Sequence, residues 1–430
     1  MNRPVHVLVY PSGAESALEV WHALKHVVNV RVYGASSRSD HGDLCFAHRI
    51  EGLGNVSDPE FAERLVQAVV DNRIDAIFPC HDTVAVALAA LQPRLSARVV
   101  CSPLPAAEHC RSKRALLDLF APDGLMAPDV GTDPGADRFP LFAKPDVGEG
   151  GKGTARLADR AAYDRFFAHE DRARYVVSAY LPGEEFTVDC LTDREGKLRF
   201  VGPRTRERVL AGISVRTRRV PAEPFMAMAR TINERLALRG LWFFQVKRDA
   251  LGRPWLLEVS TRTASSMGLH RAYGVNLPLL ALYDALGLNV RVMPQPFAAM
   301  MDRALTPKFA LDIPYSTVYL DLDDTLIMHG RVNGPVIHFA YQCRAQNKRL
   351  VLITKHEHDL AATLRTHRID PALFDGIVHL RADERKSDHI EGPDAILIDN
   401  AWTERADALE RKGIAVFDVD AIEALIDHHA

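Results

Sequence analysis

The sequence predicts an α/β protein in three folded parts. These are a parallel-sheet domain over 1–105, a mixed α+β domain over 106–293 and a second parallel-sheet domain over 316–430, with a linker region at 294–315. Three observations carry this. Short apolar runs closed by turn residues alternate with amphipathic stretches at both ends of the chain, the pattern of strands joined by crossover helices. A Gly-rich loop between strand-like runs fills the middle. Pro294, Pro296, Pro307 and Pro314 then punctuate a stretch of little periodicity before the alternation restarts.

At about 100–200 residues per domain, a chain of 430 residues has room for several cores. Apolar residues make up 47 % and charged residues 25 %, which excludes disordered and fibrous classes. Lys and Arg total 53 against 56 Asp and Glu, a net charge of −3, so neither nucleic acid nor an anionic membrane is expected as a partner. No apolar run is long enough to span a bilayer, and the start, Met1-Asn2-Arg3-Pro4, lacks the apolar core of a signal peptide; a cytoplasmic protein is expected. The six cysteines (Cys45, Cys80, Cys101, Cys110, Cys190, Cys343) show no CxxC spacing and read as reduced packing residues.

Taken in order, residues 5–10 (VHVLVY) form a strand that ends at Pro11-Ser12-Gly13-Ala14 and leads into a helix at Ala14–His26. Strands at Val28–Tyr33 and Asp75–Pro79 repeat the alternation around the amphipathic Pro59–Asn72. The loop PSGAES is not GxGxxG, so a dinucleotide site has little support. Residues 106–175 read as helix, loop, strand and Gly-rich loop, and 175–260 as several strands around a helix at Pro224–Ala237. After the linker, Thr317–Leu320 opens a βα series with strands near Leu350–Ile353, Gly376–Val378, Ala395–Ile398 and Ala415–Phe417.

FPLFAKPDVGEGGKGT (Phe139–Thr154) sets Lys144 at a strand end before Gly148, Gly150, Gly151 and Gly153. Glycines let successive backbone N–H groups turn toward an anion, and Lys144 and Lys152 add charge, although a flexible hairpin loop has the same look. It is not a Walker A loop, which would need lysine where Thr154 stands. Gln245 and Glu258 lie in strand-like runs joined by the short turn Asp249–Pro254, so a hairpin could bring both oxygens to one face, as Mg²⁺ prefers. A plain pairing of Glu258 with Arg262 is the competing reading.

The order Lys113, Lys144, Gly-rich loop, YLPGEEFTVD, Gln245 and Glu258-x-x-x-Arg262 resembles the ATP-grasp superfamily, most closely its carbamoyl-phosphate-synthase-like carboxylate–amine ligases, over about residues 1–290. The resemblance implies a pre-ATP-grasp sheet domain followed by an ATP-grasp domain that uses ATP and Mg²⁺. It assigns Lys113 and Lys144 to the ATP phosphates, with Glu149, Gly150, Gly151, Lys152, Gly153 and Thr154 covering them. The backbone at Tyr180 and Leu181 would meet adenine and Glu185 the ribose, with Gln245 and Glu258 as magnesium ligands. The implied chemistry is activation of a small-molecule carboxylate as an acyl phosphate, which an amine attacks. Arg262 and Arg271 could stabilise that acyl phosphate, while Arg206, Arg208 and Arg216, in an arginine-dense stretch, are candidates for substrate binding. The sequence departs from the family ending Glu-x-Asn-Pro-Arg: Ser260 stands where a metal-binding amide is usual, and Ser178-Ala179 precedes the hinge.

TVYLDLDDTLI (Thr317–Ile327) sets Asp321 and Asp323 after an apolar strand. An EF-hand is excluded because Leu326 and Val332 stand where Gly and Glu would be needed. A strand-end carboxylate pair can divide into nucleophile and general acid/base. With Thr354, Lys386 and Asp399 in order, residues 315–430 resemble the haloacid dehalogenase superfamily of phosphatases. By that resemblance Asp321 is the nucleophile and Asp323 the acid/base. Thr354 and Lys386 clamp the phosphoryl group, and magnesium is held around Asp321, Asp323 and Asp399. About 30 residues separate successive motifs, too few for a large cap, so an open site taking a phosphoester substrate is expected.

His22 and His26 share a helix face without a third ligand, and His356-Glu357-His358 is not HExxH. Two alternatives stay open: a ligase whose C-terminal domain only docks or regulates, and a nucleotide-responsive binding protein. A homo-oligomer is compatible with either.

Overall fold

A computed structural model describes residues 3–148 and 150–429. The chain divides into two compact units, Met1–Leu305 and Thr306–Ala430, and the division falls inside the 294–315 stretch.

In the first unit, β1 (Val5–Tyr10), α1 (Glu15–Leu24), β2 (Val30–Gly34), β3 (His48–Arg49), α2 (Phe61–Asp71), β4 (Ala76–Pro79), α3 (Asp82–Leu91) and β5 (Arg98–Val99) build a parallel sheet in the order β3-β2-β1-β4-β5. β1 and β4 are buried almost throughout, as a parallel sheet covered on both faces requires. Strand order reverses between β1 and β4, so the crevice outside their carboxyl ends lies at Pro11–Glu15 and Cys80–Asp82.

α4 (Leu104–Arg111) and α5 (Lys113–Phe120) follow. A small antiparallel sheet comes next, made of β6 (Leu141–Pro145), β7 (Ala155–Leu157) and, after α6 (Arg160–Phe167), β8 (Tyr175–Ala179). Residues from β9 (Glu185–Thr192) through β10 (Leu198–Thr205), β11 (Arg208–Leu210), β12 (Ile213–Arg218), α7 (Glu223–Leu236), β13 (Gly240–Arg248) and β14 (Pro254–Ser260) complete the α+β part. Its main sheet is antiparallel, β10-β9-β13-β14. Even-numbered residues of β13 (Trp242, Phe244, Val246) join Val188, Cys190 and the α7 residues Phe225, Ala229 and Ile232 in one core. Leu241 and Phe243 face the opposite way, into the core of the parallel sheet and α9 (Leu277–Ala285), which follows the short α8 (Leu269–Ala272).

The linker reading needs one correction. Met300–Asp302 forms β15, which pairs antiparallel with β12, and Arg303 N donates to Val215 O at 2.8 Å. Three residues are too few to show a period, which is why the strand left no signal.

In the second unit, β16 (Thr317–Leu320), the hairpin β17 (Ile327–Met328) and β18 (Arg331–Val332), α10 (Gly334–Ala345), β19 (Arg349–Thr354), α11 (Leu360–Thr366), β20 (Gly376–His379), β21 (Ala395–Ile398), α12 (Trp402–Lys412) and β22 (Ala415–Phe417) follow the expected series. The parallel sheet runs β20-β19-β16-β21-β22, the same topology as the N-terminal sheet, with its switch point between β16 and β21. All six cysteines are free thiols. Among the described residues no helix is long and apolar enough to cross a membrane.

Asp189, mid-β9 and fully buried, accepts from Arg204 Nε at 2.7 Å and meets His270 Nε2 at 2.9 Å. Burial alone would raise its carboxyl, but Arg204 and His270 outweigh that and hold it below the usual range. Asp189→Ala strands a buried guanidinium and should cost about 3–5 kcal/mol in chemical denaturation; a loss under about 1 kcal/mol would show that the pair is not structural.

Candidate functional site

One face of the main sheet runs from core into cleft. β9 and β13 pair with Leu191 opposite Leu241, Asp189 opposite Phe243, Thr187 opposite Gln245 and Glu185 opposite Lys247. β14 adds Ser260 beside Phe243 and Glu258 beside Gln245. Alternate residues therefore form rows about 7 Å apart: an apolar row, a buried polar row, then two rows in the open cleft. Gln245 and Glu258 are direct cross-strand partners.

The cleft holds about 320 Å³. Lys113, Lys144, Glu185, Arg206, Gln245 and Glu258 supply its polar lining, and Phe142, Leu181, Val209 and Leu257 its apolar walls. Two chain segments fix the lysines. Ser112 caps α5 by accepting from Ala115 N at 3.0 Å, and its hydroxyl donates to Asp146 Oδ1 at 2.7 Å. Asp146 O also accepts from Lys113 N at 3.1 Å. The start of α5, carrying Lys113, is thereby tied to the end of β6, carrying Lys144. Lys113 Nζ reaches Gly148 O at 3.5 Å.

Gly150, Gly151 and Gly153 have φ of 61°, 73° and 73°, a backbone region that side chains disfavour. Thr154 Oγ1 donates to Gly151 O at 2.8 Å, and Lys152 lines the cleft. A Cβ on Gly212 would lie 2.6 Å from Gly150 Cα, so the turn between β11 and β12 passes hard against this loop. Glu149 lies outside the described residues. Tyr180 N donates to Pro140 O at 3.0 Å, and the Arg156 guanidinium lies 4.6 Å above the Tyr180 ring.

The arginines named from the sequence all meet carboxylates. Arg206 donates to Glu185 at 2.6 Å, to Thr187 Oγ1 at 3.2 Å and to Gly212 O at 2.9 Å, so it braces the cleft wall. Arg208 meets Asp302, and Arg216 lies 3.2 Å from Glu207, both on the β11–β12 hairpin. Arg271 grips Glu19 at 2.8 and 3.0 Å. Arg262 lies 3.0 Å from Asp82, the first residue of α3, whose other oxygen accepts from Ser260 Oγ. Ser260 is thus turned toward Asp82 at the switch-point crevice.

Burial pushes Lys144 down to about 8, with Glu258 opposing and Lys113 adding to the fall. Among the described residues no carboxylate lies within ion-pair distance of its ammonium; the Phe142 ring lies 5.8 Å away. A buried cation without a counter-ion fits a phosphate ligand. The paired oxygens of Gln245 and Glu258 are the hard donors that Mg²⁺ takes, together with phosphates and water. Lys247, which no sequence motif marks, lies 3.3 Å from Glu185 and two residues from Gln245 on the same face; strand alternation is the signal that places it there.

A second cleft, about 400 Å³, opens at the switch point of the C-terminal sheet. Asp321 and Asp399 directly follow β16 and β21. The Lys386 ammonium lies between them at 2.5 and 2.6 Å. All three are buried, as is Thr354, whose Oγ1 has no hydrogen-bond partner among the described residues. Burial pushes the Asp321 carboxyl up to about 6 against the pull of Lys386, with Asp399 adding to the rise. Asp323 is half exposed and meets the His356 ring. No group of three or more His, Cys, Asp or Glu side chains is arranged for a metal among the described residues. Two carboxylates and an orphaned hydroxyl nonetheless suit Mg²⁺ held partly by a phosphoryl group.

Residues 171–306 match the family model described as ATP-grasp in the biosynthetic pathway with Ter operon. No curated protein matches the chain. Among solved structures it is similar to N5-carboxyaminoimidazole synthetase from Staphylococcus aureus complexed with ADP (TM-score 0.58, 14% identity, covering 71% of this chain and 83% of that one). It is also similar to biotin carboxylase from Campylobacter jejuni (0.55, 15%, 67% and 72%) and to L-amino acid ligase from Bacillus licheniformis (0.53, 18%, 66% and 75%). The chain therefore has an ATP-grasp-like fold behind a parallel-sheet region, with residues 171–306 matching an ATP-grasp family model.

Ser260→Ala removes a donor from the Asp82 carboxylate and should cost about 1–3 kcal/mol in denaturant unfolding. An unchanged midpoint would show that this bond holds nothing in place.

Proposed function

We propose that residues 1–305 are an ATP- and Mg²⁺-dependent carboxylate–amine ligase, and that the C-terminal unit is a Mg²⁺-dependent phosphatase. The observation that carries the ligase reading is Lys144, a desolvated ammonium with no carboxylate partner among the described residues, beside the Gln245/Glu258 pair under a glycine roof. Lys113 and Lys144 hold polyphosphate; the backbone of residues 150–154 covers it; Phe142, Leu181 and Leu257 take the base and Glu185 the ribose. The structural neighbours support this, one being solved with MgADP and bicarbonate and another with ADP. Gln245 and Glu258 would hold Mg²⁺, which would supply neutralisation of the phosphate charge. A substrate carboxylate oxygen takes the γ-phosphoryl group and ADP leaves. The amine nitrogen then attacks the acyl carbon, phosphate leaves, and the nitrogen gives up a proton. Arg262 and Arg271 bracket the acyl phosphate, and the β11–β12 arginines face the incoming substrates.

In the C-terminal unit, Asp321 Oδ attacks phosphorus, the ester P–O bond breaks, and Asp323 protonates the leaving oxygen. Water then cleaves the aspartyl phosphate while Asp323 takes up its proton. Lys386 and Thr354 hold the phosphoryl oxygens, and Asp321 and Asp399 would hold a cation that would offset their charge. The substrates are small molecules, and the cytoplasm is the compartment that supplies ATP to such a chain.

Two measurements test this. Free Lys144 titrates near 8, and bound polyphosphate raises it, so Mg·ATP binding should take up protons and weaken by about tenfold from pH 7.5 to 9. Lys144→Arg, which stays charged, should flatten that profile in calorimetry. A flat wild-type profile refutes the role of Lys144. Asp321→Asn should reduce phosphate release from aryl phosphates to background while Mg·ATP binding is unchanged; residual wild-type release would remove Asp321 as nucleophile.

A further inference from the structure

His356 belongs to a segment, Lys355–Asp359, that the phosphatase motifs leave unassigned, yet it is nearly buried, with 9 % of its surface exposed. Three contacts fix it. Its Nδ1 lies 3.0 and 2.9 Å from the two oxygens of Asp323. Its Nε2 lies 2.8 Å from Thr363 Oγ1, on α11. Its carbonyl oxygen lies 2.7 Å from His379 Nε2, at the end of β20. A carboxylate only accepts, so Nδ1 donates to Asp323, while the Nε2 edge is held by the Thr363 hydroxyl. Asp323 itself is 52 % exposed, and among the described residues its side chain is held by this ring alone. A half-exposed carboxyl with no second anchor would sample several rotamers; the ring fixes its plane at the mouth of the cleft.

We infer that His356 is a positioning residue for Asp323: the Thr363–His356–Asp323 chain orients the carboxyl that passes its proton to the leaving oxygen. The inference rests on the phosphatase reading of the C-terminal unit. It has a specific kinetic consequence. Proton donation matters little for p-nitrophenolate, a good leaving group, and much for phenolate, a poor one. A merely structural histidine would affect both esters alike.

The test uses the full chain. Asn places its amide nitrogen where Nδ1 stands, and Gln places its own where Nε2 stands. His356→Asn should therefore keep the bond to Asp323 and stay within about threefold of wild type on both esters. His356→Gln, which keeps only the Thr363 side, should lose about 10- to 100-fold in kcat/KM on phenyl phosphate and under about threefold on p-nitrophenyl phosphate. Thermal unfolding of both variants reports whether each is folded. Equal losses on the two esters, or Gln performing as well as Asn, would overturn the inference. Absence of Asp321-dependent phosphate release from the wild type would overturn the phosphatase reading itself.

Discussion

The register of β13 between β9 and β14 governs the first unit, because a strand shifted by one residue exchanges every side chain between its two faces. In the observed register Trp242, Phe244 and Val246 enter one core and Leu241 and Phe243 the other, which leaves Gln245 and Lys247 to continue the second face beyond the apolar rows. The metal-type pair, the Glu185 wall and the Ser260 contact all hang on that alignment. A slip would turn Gln245 and Lys247 into the core beneath α7 and Phe244 and Val246 into the cleft, so hydrophobic burial enforces the geometry of the cleft.

The two clefts handle a buried lysine in opposite ways. Lys144 is pushed down because burial outweighs a distant Glu258, whereas for Lys386 the two carboxylates outweigh burial and raise it. The first cleft is thus short of negative charge and suited to a polyphosphate. In the second, Asp321 and Asp399 flank Lys386 and Asp323 stands at the mouth, so acids outnumber lysines along its lining.

Much of this was legible in the sequence where local chemistry is strong. The strand-end positions of Lys144, Asp321, Thr354 and Asp399 follow from apolar runs that stop at a polar residue, and the glycines with positive φ announce themselves by type. What sequence could not supply were pairings between distant segments. Arg271 with Glu19, Arg262 with Asp82 and His356 with Asp323 join residues 252, 180 and 33 positions apart, and no period connects them. β15 was hidden for a related reason, since a three-residue strand is defined by its partner β12 and not by its own pattern.

Ser260 illustrates how a departure from a motif can be absorbed by the fold. Where the related motif has an amide, a hydroxyl donates to Asp82 at the mouth of the N-terminal sheet, and the same carboxylate holds Arg262. Burial would raise Asp82, but Arg262 and the Ser260 hydroxyl outweigh it and hold the carboxyl below its usual range, so it stays ionised. A longer amide at this buried position would have to displace that carboxylate and release the guanidinium. The hydroxyl therefore links the row next to Gln245 and Glu258 to the switch-point crevice, the place where open α/β sheets receive ligands. Arg262 is held at that junction by the acid that opens α3, and that acid is itself held by the hydroxyl at the end of β14, so the guanidinium is set in place by the fold without a ligand.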